Sequence, residues 1–316
     1  MPAEHLVPHG ATARRITWTE LPSSVRTLIE QRLGGPVVSA ASQGSGFTPG
    51  FASRLATAGG GRVFVKAASA TDAVPFADAY REEARKLRVL LPLGIPAPAL
   101  RWVEDADWVV LCFDDVAGRT PLRPWRHDDI RAALDTVTTM ASAMRQAPES
   151  LALPSFREEF GGWPGRWARV PPSGVLRRHH DEARRLAVSA LQRCGGESVV
   201  HSDMRDDNLI VGDDGRVWVC DWNWPVRGSD WVDLVCLLIS IRGDGHDADA
   251  MLEQHPLAAG VEGDRIDALL ALLHGYFATE GGRDAPPLSP YLRIHQRWYA
   301  DVTLDWLANR RGWVAR

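Results

Sequence analysis

The sequence has very little lysine and no excess of positive charge. Of its 36 basic residues only Lys66 and Lys86 are lysines, and they stand against 40 acidic residues. With a formal net charge of -4, the chain lacks the overall positive field that attracts nucleic acid or an anionic membrane. Neither nucleic acid nor a membrane is therefore expected as a partner.

Cysteine is also scarce, and long apolar runs are missing. The four cysteines, Cys112, Cys194, Cys220 and Cys236, form no C-x-x-C pair, so they are expected to be reduced structural thiols rather than disulfides or zinc ligands. No stretch approaches about 18 uninterrupted apolar residues, and the first residues lack the apolar core of a signal peptide. A cytoplasmic location is expected.

The chain does contain 45% apolar residues over 316 positions, enough for a large core and two lobes. After a helix near residues 21–33, apolar alternation between turn residues predicts three strands within residues 36–69. Helical spacing then predicts a helix over residues 76–90, and two further strand-like runs lie before residue 116. The first part of the chain is predicted to be rich in β-structure.

From about Trp125 onward the apolar spacing is mostly helical. A strand, a polar loop and a hairpin turning at Asp213, Asp214 and Gly215 interrupt the helices. We interpret the chain as an α+β protein, with a β-rich N-terminal lobe over residues 1–115 and a mostly α-helical C-terminal lobe over residues 116–316.

The most informative segment is HSDMRDDNLIVGDDGRVWVCDW, which begins at His201 and places Asp203, Asn208 and Asp221 around strand ends and a hairpin. Phosphoryl transfer needs a carboxylate to take the proton of the acceptor hydroxyl, and hard oxygen ligands for Mg²⁺. Asp203 is therefore predicted to be the catalytic base. Asn208 and Asp221 are predicted to be the Mg²⁺ ligands.

In order and spacing, His201, Asp203, Asn208 and Asp221 resemble the H-x-D-x-x-x-x-N loop and the later metal-binding aspartate of the aminoglycoside phosphotransferase family. The resemblance covers most of the chain. It implies a two-lobed, protein-kinase-like fold. It also implies transfer of the γ-phosphate of ATP or GTP to a hydroxyl of a small molecule such as an antibiotic or a sugar.

The same resemblance implies a nucleotide site in the N-terminal lobe. Lys66 would pair with the α and β phosphates, and Glu83 would hold Lys66 from the predicted helix. Helical spacing agrees with this role, because Glu83 shares a face with Leu87 and Leu90. Phe64 lies two residues before Lys66 on the same strand face and is the candidate for stacking on the purine.

The match to the family is incomplete in two loops. QGSGFTPGF lacks the strict G-x-G-x-x-G spacing, and Ser45 and Gly46 are predicted to bring backbone N–H groups against phosphate. Ser202 stands where the family commonly has glycine, and Arg205 where it often has histidine. Arg205 is a candidate contact to the transferring phosphate or the substrate, with a salt bridge to a nearby aspartate as the equal alternative.

Several polar residues near the motif are expected to have ordinary structural roles. His201 is expected to brace the loop through hydrogen bonds. Asp206 and Asp207 are expected to be solvated loop carboxylates. Asp230 and Asp233 are expected to cap a helix.

Glu82 lies three residues before Arg85 and four before Lys86, a spacing typical of ion pairs on a solvated helix face. Lys86 is therefore interpreted as an ordinary surface partner of Glu82. This interpretation gives the two lysines of the chain different roles, since Lys66 is assigned to the nucleotide.

The sequence leaves the chemical class of the phosphate acceptor open. Residues 120–200 hold nine carboxylates and twelve arginines, an unsuitable balance for a polycationic aminoglycoside, so a different hydroxylated small molecule is favoured. Trp222, Trp224 and Trp231 either wall a substrate pocket or are structural. A protein kinase, disfavoured because no A-P-E segment is present, and a catalytically inactive nucleotide-binding scaffold are the alternatives.

Overall fold

The computed structural model describes residue 7 and residues 12–314. Its N-terminal part is one sheet with two helices. The elements are β1 (Arg15–Ile16), α1 (Ser23–Leu33), β2 (Val37–Ser42), β3 (Gly50–Thr57), β4 (Arg62–Ser69), α2 (Val74–Leu90), β5 (Leu100–Asp105) and β6 (Trp108–Asp114). The strand order is β1-β3-β4-β6-β5, and β2 also pairs with β3. Strand β1 runs parallel to β3, and the other pairs are antiparallel.

The alternation of side chains along β4 separates the two faces of this sheet. Val63 and Val65 are buried in an apolar cluster that includes Ile29 of α1. Phe64 and Lys66 alternate with these valines and therefore lie on the opposite face, toward α2. The predicted shared face of Phe64 and Lys66 is thus present.

The C-terminal part is mostly helical, as predicted. Its helices are α3 (His127–Met144), α4 (Phe156–Phe160), α5 (Leu176–Arg193), α6 (Val232–Gly243), α7 (Ala248–Gln254), α8 (Gly263–Gly281) and α9 (Leu292–Arg311). Its strands are β7 (Gly118–Arg119), β8 (Ser198–Val200), β9 (Leu209–Gly212), β10 (Val217–Val219) and β11 (Val226–Gly228). Strand β9 lies between β7 and β10, and β8 pairs with β11. These elements confirm the predicted α+β class.

The lobe boundary between residues 115 and 116 stays a prediction. The last strand of the large sheet ends at Asp114, and the next strand, β7, pairs with β9 in the C-terminal part. The segment between them is therefore the connection on which a boundary would fall.

Close helix packing forms the core of the C-terminal part. A Cβ atom on Gly243 of α6 would lie 2.1 Å from the indole of Trp298, so glycine lets α6 approach α9. Gly275 of α8 has the same relation to Trp167, at 2.6 Å. The four cysteines are free thiols, as predicted. No helix in the described part of the chain is long and apolar enough to cross a membrane.

Candidate active site

A cavity of about 160 Å³ lies between the inner face of the sheet and the β9–β10 hairpin region. It is bounded by β3 and β4, by the loop over residues 43–49, and by the start of the C-terminal part. Most of the residues predicted for nucleotide and metal binding line it, namely Ser45, Gly46, Phe64, Lys66, Asn208 and Asp221. Two further predicted residues lie next to the cavity, because Glu83 is hydrogen-bonded to Lys66 and Asp203 to Asn208.

Lys66 is the centre of a buried ion network. Its Nζ lies 3.0 and 3.1 Å from the two carboxylate oxygens of Glu83, and 3.0 Å from Oδ1 of Asp221. Burial alone would lower the pKa of Lys66, but the adjacent Asp221 and Glu83 outweigh burial and raise the pKa. The ammonium is therefore charged, and it joins β4, α2 and the segment after β10.

Helix α2 carries the second lysine of the chain, Lys86. The prediction that Lys86 is an ordinary surface partner of Glu82 is wrong, because Lys86 is only 7% exposed. Its Nζ donates a hydrogen bond to the backbone oxygen of Asn223 at 2.7 Å, while Oε2 of Glu82 lies 3.8 Å away. Burial lowers the pKa of Lys86. Helical spacing identified its neighbour on α2 but not the segment that packs over it.

Asp203 and Asn208 lie on a loop between β8 and β9. The amide nitrogen of Asn208 donates to the backbone oxygen of Asp203 at 2.8 Å and to its Oδ2 at 3.1 Å. Arg205 donates to Oδ1 of Asp203 and also forms two hydrogen bonds to Asp207, at 2.9 and 3.1 Å. Burial raises the pKa of Asp203 to about 6, although Arg205 opposes this shift.

These contacts show that Arg205 forms salt bridges, to Asp203 and Asp207, and its contact to the phosphate or the substrate stays a prediction. They also correct the prediction for Asp207, which is paired with Arg205 rather than solvated. Asp206 was likewise predicted to be solvated, but it is 7% exposed and lies 3.0 Å from Arg123. Asp206 therefore fixes the loop to the buried Arg123, and Asp207 pairs with Arg205 within the loop.

The prediction that Asp233 caps a helix is wrong. Helix α6 begins after Trp231, whose position has no side-chain cap. Asp233 is 2% exposed, and its two carboxylate oxygens accept the backbone N–H groups of His201 and Ser202 at 2.7 and 2.8 Å. The aspartate thus holds the chain immediately before Asp203, a long-range contact that local helix spacing does not encode.

Asp230, the other predicted cap, instead pairs with Arg145 at 2.6 Å. Because the Arg145 side chain is 53% exposed, this ion pair lies at the surface. Such pairs contribute about 0–1 kcal/mol to stability. The two aspartates therefore differ in importance, although the sequence suggested the same role for both.

The loop before Asp203 has an unusual backbone. Ser202 has a φ of 63°, in the left-handed region that favours glycine. Its hydroxyl donates to the backbone oxygen of Trp224 at 2.6 Å. The ring of His201 accepts from the backbone N–H of Asp203 at 3.3 Å and donates to the oxygen of Cys220 at 3.0 Å. Burial lowers the pKa of His201, and the neutral ring connects the loop to the segment after β10.

The three tryptophans after Asp221 do not form one group. Trp222 and Trp231 are buried in the core, at 1% and 2% exposure, whereas Trp224 is 55% exposed. Trp222 donates its indole N–H to the backbone oxygen of Val219 at 2.9 Å. Trp222 and Trp231 are structural, and Trp224 alone presents a large apolar surface to solvent.

The donor set at the predicted magnesium site is small and made of oxygen. Within residue 7 and residues 12–314, no group of three or more His, Cys, Asp or Glu side chains is placed to hold a metal. The nitrogen of Asn208 is used by Asp203, so its amide oxygen is the available ligand. The hydrogen bonds from Lys66 and Asn223 to Asp221 both fall on Oδ1. One carboxylate and one amide oxygen fit Mg²⁺, which takes its other ligands from water and phosphate.

The loop over residues 43–49 carries a contact that sequence reasoning missed. Arg15 of β1 lines the cavity, and its Nη2 donates to the backbone oxygen of Ser45 at 3.0 Å. Gly46 has a φ of 81°, which suits glycine at this bend. The sequence indicates the inward direction of Arg15 only through its apolar neighbour Ile16. Strand β1 has two residues, too few for a periodic pattern.

Comparison with known proteins places this site in a family. A model of the phosphotransferase enzyme family matches residues 47–269, more than half of the chain. The chain belongs to the phosphotransferase enzyme family. The predicted resemblance to aminoglycoside phosphotransferases is thereby confirmed. No curated protein matches this family member in sequence.

Solved structures share the fold of this phosphotransferase-family chain. An aminoglycoside phosphotransferase from Alicyclobacillus acidocaldarius has a TM-score of 0.57 at 16% identity, over 87% of this chain and 92% of its own. A choline kinase from Streptococcus pneumoniae has a TM-score of 0.56 at 15% identity, over 91% and 100%. An aminoglycoside phosphotransferase from Streptomyces rimosus, in complex with ADP and streptomycin, has 0.54 at 20% identity, over 80% and 98%. These likenesses confirm the kinase-like fold.

Proposed function

We propose that the protein transfers the γ-phosphoryl group of ATP or GTP to a hydroxyl group of a small molecule, with Mg²⁺. The observation that carries this proposal is that Lys66, Asn208 and Asp221 line one cavity, with Glu83 and Asp203 hydrogen-bonded to them. Each of these residues contacts at least one other member of the set. A scaffold that only binds nucleotide does not need the carboxylate of Asp203 beside the amide of Asn208.

The proposed reaction uses Asp203 as the general base. Its carboxylate accepts the proton of the acceptor hydroxyl as the hydroxyl oxygen bonds to the γ-phosphorus. The bond from that phosphorus to the bridging oxygen breaks, and the nucleoside diphosphate leaves. Because the pKa of Asp203 is about 6, the side chain is ionised at neutral pH and yet more basic than an ordinary aspartate.

The surrounding residues hold the reacting groups in place. Arg205 and Asn208 bind the two oxygens of Asp203 and fix the orientation of the carboxylate. Lys66 offers its ammonium to the nucleotide phosphates while Glu83 holds it in place. Magnesium held by Asn208 and Asp221 would neutralise phosphate charge when bound.

The donor and acceptor classes have further support. The Streptomyces rimosus relative is in complex with ADP and streptomycin, and the Streptococcus pneumoniae relative is a choline kinase. Phe64 and Lys66 both line the cavity, and in this proposal Phe64 would stack on the base while Lys66 meets the phosphates. A cytoplasmic location, where nucleoside triphosphates are available, belongs to the same proposal.

The experiment that tests this function is a nucleotide-consumption screen. Purified protein is mixed with Mg²⁺, ATP or GTP, and one member each of the aminoglycosides, macrolides, nucleoside antibiotics, simple sugars and choline. Phosphate is expected to appear on a hydroxyl of one class and not with the Asp203→Asn variant. Failure of the protein to bind either Mg-nucleotide would contradict the proposal.

A further inference from the structure

The cavity is lined by an arginine, Arg15, whose position follows from the shortest strand of the sheet. Strand β1 pairs in parallel with the start of β3, with Arg15 opposite Gly50 and Ile16 opposite Phe51. Ile16 packs against the apolar cluster beneath α1. Because neighbouring side chains on a strand point to opposite faces, Arg15 points to the face of Lys66, into the cavity.

The segment that carries Arg15 is fastened to the loop over the cavity. Thr12 donates through both its backbone N–H and its hydroxyl to the backbone oxygen of Gly44, at 2.9 and 2.6 Å. A Cβ atom on Gly46 would lie 3.6 Å from Nη2 of Arg15. The guanidinium is thus held directly under the bend of the loop.

The hydrogen-bonding capacity of Arg15 is not used up by the protein. Within the described residues, its Nε is inaccessible to solvent and has no hydrogen-bond partner. The Nε of Arg123 is also buried without a partner, but Arg123 and Arg205 each pair with two aspartates. A partly buried guanidinium with an unsatisfied N–H group is costly unless an anion completes its hydrogen bonds.

The neighbours of Arg15 indicate which anion this is. Arg15 lies opposite Gly50 of β3, and along β3 the partner of Lys66 comes next and the partner of Phe64 after it. Arg15 therefore lies on the Lys66 side of the cavity, away from Phe64. A glycine-containing loop above such a site covers the nucleotide phosphates in kinases. Arginine also suits phosphate, because its planar fork matches two phosphate oxygens.

We propose that Arg15 binds the terminal phosphates of the nucleotide, as a second cation together with Lys66. This inference rests on the nucleotide-dependent function proposed above. Arg15 would couple phosphate binding to the position of the loop over residues 43–49, because the same guanidinium donates to the backbone oxygen of Ser45 and meets the incoming phosphate. The loop is thereby tied to the presence of the γ-phosphate.

The test compares Arg15→Gln with Arg14→Gln in the full chain, by calorimetric titration of ATP, ADP and AMP, and of the guanine series, with Mg²⁺. Arg14 is an exposed neighbour on the same segment and serves as the matched control. Arg15→Gln is expected to weaken triphosphate binding by about ten- to a hundredfold, the loss of one charge-assisted hydrogen bond or more. Monophosphate binding is expected to stay as in the wild type.

The two proposals fail in different ways. If the wild type binds nucleotide and Arg15→Gln keeps wild-type triphosphate affinity, the role of Arg15 is overturned while the proposed function stands. Equal weakening of AMP and ATP would also overturn it, because a residue that only supports the loop affects both. Arg15→Lys is measured in parallel, and if Arg15→Gln does not fold, the same ATP-to-AMP comparison on Arg15→Lys decides. A wild type that binds no nucleotide overturns the proposed function itself.

Discussion

Replacing Lys86 by methionine tests how the metal-binding segment is held. Lys86→Met keeps most of the aliphatic stem and removes the ammonium that donates to the backbone oxygen of Asn223 at 2.7 Å. Asn223 in turn donates its side-chain N–H to Oδ1 of Asp221 at 2.8 Å. The ammonium therefore acts on Asp221 through one intervening residue and is a positioning group in this account.

The change in stability of Lys86→Met follows from two opposing contributions. A hydrogen bond from a charged donor is worth about 1.5–3 kcal/mol, and its loss leaves the oxygen of Asn223 unpaired. Removing a buried ammonium regains part of its desolvation cost, so global stability is expected to fall by only about 0–2 kcal/mol. If the lost bond is what keeps Asp221 in place, Mg-nucleotide affinity falls by about ten- to a hundredfold.

The assay measures nucleotide affinity as a function of Mg²⁺ concentration, together with thermal unfolding. Arg88→Met is the control, since Arg88 is an exposed cation two residues further along α2. Lys86→Met is expected to need more Mg²⁺ for half-saturation, whereas Arg88→Met should match the wild type. If Lys86→Met and Arg88→Met need the same Mg²⁺ concentration for half-saturation, Lys86 does not position Asp221, even if Lys86→Met is less stable.

Two further predictions concern Lys66 and Asp233. Lys66→Arg keeps the charge, but no guanidinium nitrogen carries the three N–H groups with which Nζ binds both oxygens of Glu83 and Oδ1 of Asp221. Nucleotide affinity should therefore drop about tenfold or more, and Arg85→Lys, at a side chain that is 42% exposed, serves as the control. Asp233→Asn loses one of two buried acceptors for backbone N–H groups and should lower the free energy of unfolding by about 1–3 kcal/mol. Asp230→Asn breaks only a surface pair, so its free energy of unfolding should stay within about 1 kcal/mol of the wild type in the same denaturation experiment. Equal losses for the two variants would argue against the assignment of Asp233 as the residue that holds the loop before Asp203.

The parts of the site that rest on local periodicity were predictable from the sequence. Alternation along one strand placed Phe64 and Lys66 on a common face, and helical spacing turned Glu83 inward. Both patterns depend only on residues a few positions apart, which is the range over which backbone geometry fixes side-chain direction. The α+β class followed for the same reason.

The parts that depend on distant segments were not predictable. Lys86 has the spacing of a surface ion pair with Glu82, but the backbone of Asn223, 137 positions away, covers it. Asp233 has the position of a helix cap, yet it bonds to the chain before Asp203, some 30 residues earlier. Arg15 lies in a two-residue strand, too short for any periodic signal. In each case tertiary packing, rather than local propensity, decides the role.

If Asp203 is the base for phosphoryl transfer, removing its carboxylate must slow turnover without weakening nucleotide binding. Asp203→Asn and Asp213→Asn, the latter an exposed turn residue, are assayed for Mg-nucleotide affinity and for turnover with the acceptor found in the screen. Asp203→Asn is expected to bind nucleotide as the wild type does and to turn over about 10²–10⁴-fold more slowly, while Asp213→Asn is unaffected. Wild-type turnover by Asp203→Asn would show that Asp203 is not the base.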